Sequence, residues 1–243
     1  MLLSELISDI DVKKIIGKPT VNVNKIVYDS RKALPSSIFV CLTGLKYDGH
    51  NYASMAFERG CRVFLCERPL DLPKSAVQVI TDNSRKSLAV ISAAFYSQPA
   101  EKIKVIGITG TKGKTTTALL LTSILNNAGK SAAYIGSNGV IIRNKTIETV
   151  NTTPESLELH HYLKIKVDSG IEYAVIEVSS QALDHYRVYK LPFFMTMFLN
   201  LSPDHIGKAE GEHATFDDYK HAKSRLFSEY DTSYVVCNTD DKW

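Results

Sequence analysis

One stretch constrains this chain more than any other: Gly110-Thr111-Lys112-Gly113-Lys114-Thr115, set between an apolar run at 105–109 and a helical stripe at Ala118, Leu121, Leu125 and Ala128. Strand, glycine-rich turn and helix in that order let backbone N–H groups and a helix N-terminus face one anion. Lys114 adds a positive charge for the β and γ phosphates, and Thr115 offers a hydroxyl to Mg²⁺. The stretch reads as a nucleoside triphosphate site, with a solvated turn as the competing reading. It is not the strict Walker spacing, because Ile108 stands where that pattern has its first glycine.

The rest of the chain is organised around this unit. Strand and helix alternate from residue 102 onward, with strands expected at 105–109, 132–135, 173–178, 194–199 and 234–237 and helices at 115–128, 155–167 and 216–228. That alternation implies a parallel sheet wound by right-handed crossovers. A hairpin is expected from 140–142 to 147–150. Before it come strands at 25–28, 38–42, 62–66 and 77–81 and helices at 52–59 and 84–97. Asn83 reads as the cap of the second helix and Gln98-Pro99 as its stop, which sets a domain boundary near Pro99. The fold class is α/β, a mixed N-terminal domain followed by a phosphate-loop domain on a parallel sheet. A chain stopping just after its last strand is expected to be truncated.

Composition narrows the function classes. The chain has 243 residues, 44% hydrophobic and 23% charged, with a net charge of +3. That describes an ordinary globular protein and lacks the basic excess of a nucleic-acid binder. Glu5, Asp9 and Asp11 near the start are wrong for a signal peptide, and no apolar run reaches membrane-spanning length. A cytoplasmic protein with no nucleic-acid or membrane partner is expected. Cys41, Cys61, Cys66 and Cys237 read as reduced core residues, and His160, His161 and His185 as helix-surface residues without metal spacing.

Three further positions carry candidate chemistry. Glu177 ends an apolar strand and His205 lies just past another, where ligands gather in an open parallel sheet, so both are expected to converge with Thr115. A surface acid and a loop-capping histidine are the alternatives. Lys223 shares a helix face with Phe216, Tyr219 and Phe227, behind a capping pattern at Thr215 and Asp218. It reads either as a snorkelling lysine or as a buried, neutral amine. Asn151-Thr152-Thr153 precedes Pro154, with Thr153 a candidate helix cap.

The stretch GTKGKTTT, Gly110 to Thr117, resembles the phosphate loop of the Mur ligases, ATP-dependent amide-forming enzymes of bacterial cell-wall precursor synthesis. Tyr28-Asp29-Ser30-Arg31, Asp48-Gly49-His50, Asn151-Thr152-Thr153-Pro154, Glu177-Val178-Ser179-Ser180, Arg187-Val188, Asn200 to His205 and Ala222-Lys223 resemble the branch that adds the third amino acid of the stem peptide. The resemblance implies a UDP-substrate-binding domain at 1–99, an incomplete ATP-binding domain at 100–243 and an absent C-terminal ligase domain. It implies ATP and Mg²⁺ as cofactors, held by the loop from Gly110 through Thr116. Lys114, Glu177, His205 and Lys223 become catalytic candidates. Thr115, Glu177, His205 and Lys223, the last as a carbamate, become metal ligands. Ser30, Asn151, Thr152, Thr153, Ser179 and Arg187 become substrate contacts.

The implied reaction adds L-lysine or meso-diaminopimelate to UDP-N-acetylmuramoyl-L-alanyl-D-glutamate through an acyl phosphate, in a monomer. The alternatives are another Mur-type ligase, a folylpolyglutamate or cyanophycin synthetase, and a nucleotide-binding module without turnover. The fragment itself is expected to bind the uridine substrate weakly and to form no amide bond. Lys112, Gln181 and the stretch from Ile206 to His213 depart from the family pattern, which has asparagine, histidine and Leu-Asp-x-His-Gly there.

Overall fold

Short runs rich in Val, Ile and Phe pair side by side through the first part of the chain. The computed structural model describes residues 1–44, 46–143, 145–204, 206–207 and 213–243, and the chain divides into units Met1–Phe95 and Tyr96–Trp243. The first unit contains α1 (Leu3–Leu6), β1 (Val12–Ile16), β2 (Lys25–Val27), β3 (Ser37–Val40), α2 (Ala53–Glu58), β4 (Val63–Cys66), β5 (Val77–Thr81) and α3 (Ser84–Phe95). Its sheet runs β1-β5-β4-β3-β2, parallel except for β1 against β5. Every residue of β3, β4 and β5 is buried, the pattern of strands covered on both faces.

Sequence reading misses β1. Its residues, Val-Lys-Lys-Ile-Ile, are half-buried at the ends and exposed between, so neither alternation nor a continuous apolar run marks them. A lysine-bearing edge strand is shielded from further pairing, which is why it reads as surface. Asn83 does cap α3, its Oδ1 accepting the Lys86 N–H at 2.9 Å. The helix stops at Phe95, short of 97, because Ser97 and Gln98 take positive φ values of 62° and 51° ahead of Pro99.

The second unit contains β6 (Lys104–Thr109), α4 (Lys114–Asn127), β7 (Ala132–Gly136), β8 (Gly139–Ile142), β9 (Lys145–Ile147), α5 (Ser156–Asp168), β10 (Tyr173–Glu177), α6 (Ser180–Asp184), β11 (Phe193–Phe198), α7 (Phe216–Ser228) and β12 (Thr232–Cys237). The sheet order is β12-β11-β6-β10-β7-β8-β9, parallel from β12 to β7 and antiparallel through the β8–β9 hairpin. Alternate side chains feed two cores. Val105, Ile135, Ile176, Leu159 and Leu226 pack on one face of the sheet, and Ile106, Ile108, Tyr134, Val175 and Ala118 on the other. Glu177 and the loop after β6 thereby emerge together at the carboxyl ends of adjacent strands.

The core corrects two readings. His160 lies inside the second unit rather than on its surface, and burial pushes its imidazole down to about 4. Cys41, Cys61 and Cys66 are buried as free thiols, whereas Cys237 is exposed on β12. Lys166, on the same helix as His160, is fully buried with its Nζ 3.5 Å from the Tyr134 carbonyl, and burial pushes it down to about 7. Among the described residues no helix is long and apolar enough to cross a membrane.

Candidate functional site

The phosphate-loop candidate forms as its sequence demands. β6 ends at Thr109, Gly113 takes φ 83° in the left-handed region, and α4 begins at Lys114. A side chain at 113 would be strained there, so glycine lets the chain turn sharply into the helix. The segment following the neighbouring strand β11 braces the loop. Asn200 accepts the Lys112 N–H at 3.0 Å through Oδ1 and donates from Nδ2 to the Lys112 carbonyl at 3.1 Å. Thr111 exchanges hydrogen bonds with the Ser202 backbone, donating to its carbonyl at 3.2 Å and accepting its N–H at 3.0 Å. The departure at Lys112 has a local counterpart, since its Nζ lies 2.9 Å from Asp204 Oδ2.

Two lysines converge on one carbonyl. Lys114 Nζ donates to the Gly110 oxygen at 2.8 Å and to that of Thr111 at 3.0 Å, while Lys223 Nζ reaches the same Gly110 oxygen at 3.1 Å. Burial lowers both from the usual lysine range, Lys223 to about 7, and the neighbouring Lys114 charge pushes Lys223 further down. The capping box at Thr215 and Asp218 sets the start of α7 and therefore the phase of its face. Lys223 is buried over the Tyr219 ring at 4.6 Å, and the Tyr219 hydroxyl donates to Thr111 Oγ1 at 3.1 Å. Its head group does not reach water, which excludes the snorkelling alternative.

Glu177 is fully buried beside them. Thr115 Oγ1 donates to its Oε2 at 3.0 Å, and its Oε1 accepts from the Ser137 N–H at 3.1 Å and from the Tyr134 hydroxyl. A Cβ at Gly136 would overlap both the carboxylate and that hydroxyl, so any side chain there must displace one of them. The Thr115 hydroxyl and Glu177 carboxylate are hard oxygen donors that fit Mg²⁺. Lys223 would join them as a ligand only as an anion. His205 lies outside the described residues, as do 208–212, and among the described residues no cluster of three His, Cys, Asp or Glu side chains is assembled.

The candidate substrate contacts gather at the exit of β10. Thr153 does not cap a helix, because α5 begins at Ser156 behind Glu155. Instead its hydroxyl donates to the Glu177 carbonyl at 2.7 Å and accepts the Ser179 N–H at 3.2 Å. Ser179 caps α6, Thr152 Oγ1 lies 3.0 Å from Ser137 Oγ, and Arg187 holds Glu155 at 2.8 Å and the Thr153 carbonyl at 3.1 Å. The Asn151 carbonyl accepts from Thr149 Oγ1 at 3.1 Å. Gln181 is half-buried on α6.

Sequence reading misses Tyr134, Tyr219 and His213 as site residues. His213 Nε2 lies 2.9 Å from Ser180 Oγ, and its ring packs against Tyr219 with centroids 5.3 Å apart. Tyr134 follows an ordinary buried-strand pattern, so only the cross-strand position of Glu177 reveals its role.

Ser30 lines a separate cavity of about 530 Å³ within the first unit, bounded by Tyr28, Asp29, Arg31, Tyr47, Tyr52 and Met55 among others. Its buried hydroxyl rests on the Met55 sulfur at 3.3 Å, a weak acceptor that a better partner can replace.

A parallel sheet with a glycine turn opening a helix, two converging lysines and a buried carboxylate defines an α/β unit of the phosphate-loop kind. Residues 108–243 match the model of the Mur ligase middle domain, and residues 22–117 match that of the Mur ligase family, catalytic domain. The chain belongs to the Mur ligase family. It is 38% identical over 243 residues to a UDP-N-acetylmuramoyl-L-alanyl-D-glutamate–2,6-diaminopimelate ligase of Clostridium perfringens, covering 100% of this chain and 49% of that protein. A like-named ligase of Clostridium botulinum is 42% identical over 224 residues, covering 91% of this chain and 45% of that one. A solved structure of a ligase with the same name superposes with TM-score 0.84 at 25% identity, over 100% of this chain and 48% of that chain. The chain thus spans about half the length of the relatives it matches.

Proposed function

We propose that the protein carrying this chain is an ATP-dependent ligase that adds a diamino acid to UDP-N-acetylmuramoyl-L-alanyl-D-glutamate in the cytoplasm. The names of the relatives favour diaminopimelate over lysine. The observation that carries the reading is the convergence of Lys114 and Lys223 on the Gly110 carbonyl, with Thr115 and Glu177 hydrogen-bonded on a neighbouring strand end. A half-buried cation beside a glycine turn favours a polyanion, and Lys114 supplies it.

In this mechanism the loop N–H groups and Lys114 hold the triphosphate, and a carboxylate oxygen of the substrate attacks the γ-phosphorus. The bond to ADP breaks and an acyl phosphate forms. The amine of the diamino acid then adds to the acyl carbon, and inorganic phosphate leaves as the amide forms. Mg²⁺, held by Thr115 and Glu177, would offset phosphate charge. Thr153 holds the exit of β10, and Ser179 starts the helix that follows, so the substrate side of the site is braced from Glu177 onward. Arg187 keeps the Thr153 backbone in place through its bond to that carbonyl. Lys223 in its neutral form would add carbon dioxide, releasing a proton and becoming an anionic carbamate. The first-unit cavity, with Ser30 and Arg31 on its lining, is the proposed seat of the uridine diphosphate.

The deciding experiment measures ADP release that depends on the muramoyl dipeptide and a diamino acid, with the tripeptide identified by mass spectrometry. ATP turnover indifferent to the dipeptide would overturn the reading. Lys223→Ala should abolish turnover, and acetate or formate should restore part of it. No recovery at any carboxylate concentration would discard the carbamate.

A further inference from the structure

Two aspartates start the two turns that wall the first unit's cavity. Asp29 accepts the Arg31 N–H at 3.0 Å and opens the 3₁₀ turn Ser30–Lys32, while Asp48 accepts the His50 N–H at 3.0 Å and opens the turn Gly49–Tyr52. The second turn is also riveted to the sheet. His50 is buried, and its Nε2 accepts the Glu67 N–H at 2.9 Å, so the ring proton sits on Nδ1, 2.5 Å from Asp48 Oδ1. The other carboxylate oxygen of Asp48 takes the Arg68 guanidinium at 2.6 Å. Glu67 and Arg68 directly follow β4, and Glu67 in turn caps the start of α3 through Ser84.

The second turn packs closely on the chain just after β3. Gly49 lies so close to Leu42 that an added Cβ would stand 2.7 Å from its backbone nitrogen. Leu42, Tyr47, Gly49 and Tyr52 all line the cavity from this one segment. Tyr47 is 68% exposed, its ring edge-on to that of Tyr52 with centroids 6.4 Å apart. His50 itself turns inward and is absent from the lining. Its bonds fix the backbone on which the aromatic pair stands.

We infer that His50 is a positioning residue for the nucleoside diphosphate of the substrate: by clamping Asp48 to the exit of β4, it holds the Tyr47–Tyr52 wall in the shape the ligand meets. This rests on the proposed reading of the cavity as the uridine diphosphate seat. His50 touches no ligand in this scheme and acts through the wall alone.

The test is calorimetric titration of the chain with UDP, below the melting midpoint of every variant. His50→Asn keeps a donor toward Asp48 and loses the acceptor for Glu67, whereas His50→Gln keeps an acceptor toward Glu67 and loses the donor. Each should weaken UDP binding about tenfold while ATP binding to the second unit stays as in the unsubstituted chain. Tyr47→Ala should also weaken UDP. Adding His50→Asn to a chain that already carries Tyr47→Ala and Tyr52→Ala should cost no further affinity, since His50 acts only through those two rings. A purely structural role would instead give additive losses, or folded His50 variants that bind UDP normally, and either result overturns the inference. Absence of UDP binding by the unsubstituted chain would overturn the cavity reading and this inference together. Binding that is indifferent to His50 overturns the inference alone.

Discussion

The cavity of the first unit and the loop of the second are built on opposite plans. The cavity draws its lining from separated segments, Tyr28 to Arg31, Phe39, Leu42, Tyr47, Gly49, Tyr52 and Met55, and offers rings, hydroxyls and one exposed guanidinium. The loop is one contiguous stretch with Lys112 exposed and Lys114 half-buried, and the buried Lys223 joins it from α7. A site that works by charge must concentrate donors on a backbone turn, and such a turn leaves a compact motif in the sequence. A site that works by shape can recruit from anywhere that a strand or turn delivers a side chain.

The largest test of that contrast is Lys114→Ala. It should weaken ATP binding about a hundredfold, because it removes a charged donor from the loop. UDP binding in the first unit should stay unchanged, and a parallel loss of both by calorimetry would erase the distinction between the sites. Gly136→Ala comes next. The added methyl must displace Glu177 or the Tyr134 hydroxyl, so Mg²⁺-dependent ATP affinity should fall about tenfold while ATP binding without metal changes little.

The two units should also respond oppositely to base. Burial lowers Lys166 and Lys223 from 10.5 to about 7, so each adds stability that is complete above pH 10.5 and is lost as the pH falls through 7. In the first unit burial raises the thiols of Cys41, Cys61 and Cys66 from 9.0, Cys66 to about 12. Their contribution is complete below pH 9 and fades as the pH climbs toward the folded values. Between pH 7.5 and 9.5 the second unit should gain stability and the first should lose it. Separate melting transitions followed across that range check the signs. Lys166→Met should raise the second unit's midpoint at neutral pH and flatten its slope. Two midpoints moving in parallel would refute the assignment.

The smallest effect belongs to Arg31→Ala. Its side chain is 82% exposed and pairs with Asp29 at 2.9 Å, so the unfolding midpoint should barely move. A larger loss in denaturant titration would show that the Asp29 turn is a structural brace like its Asp48 counterpart.

What the sequence made legible follows the same division. Strand, loop and helix around Gly110 could be read directly, as could the capping box that sets the face of Lys223, because those signals are local. The α6 helix was invisible at five residues, and β1 was hidden by its exposed lysines. His160 was misplaced because a histidine pair on a helix gives no local sign of which ring turns inward. Tyr134 and Tyr219 acquire their roles from partners 43 and 108 positions away, a distance at which periodicity says nothing.

The bracing of the phosphate loop has a consequence in time. Asn200, Ser202, Tyr219 and Lys223 all follow the loop by roughly ninety residues or more, and they hold its carbonyls, amides and hydroxyl in place. During synthesis the motif therefore leaves the ribosome well before the site exists. At about 5–20 residues per second, several seconds pass before β11 and α7 emerge to fix the turn. Through that interval the glycines are free of their later constraints, and a nucleotide meeting the nascent chain finds a motif without a cradle.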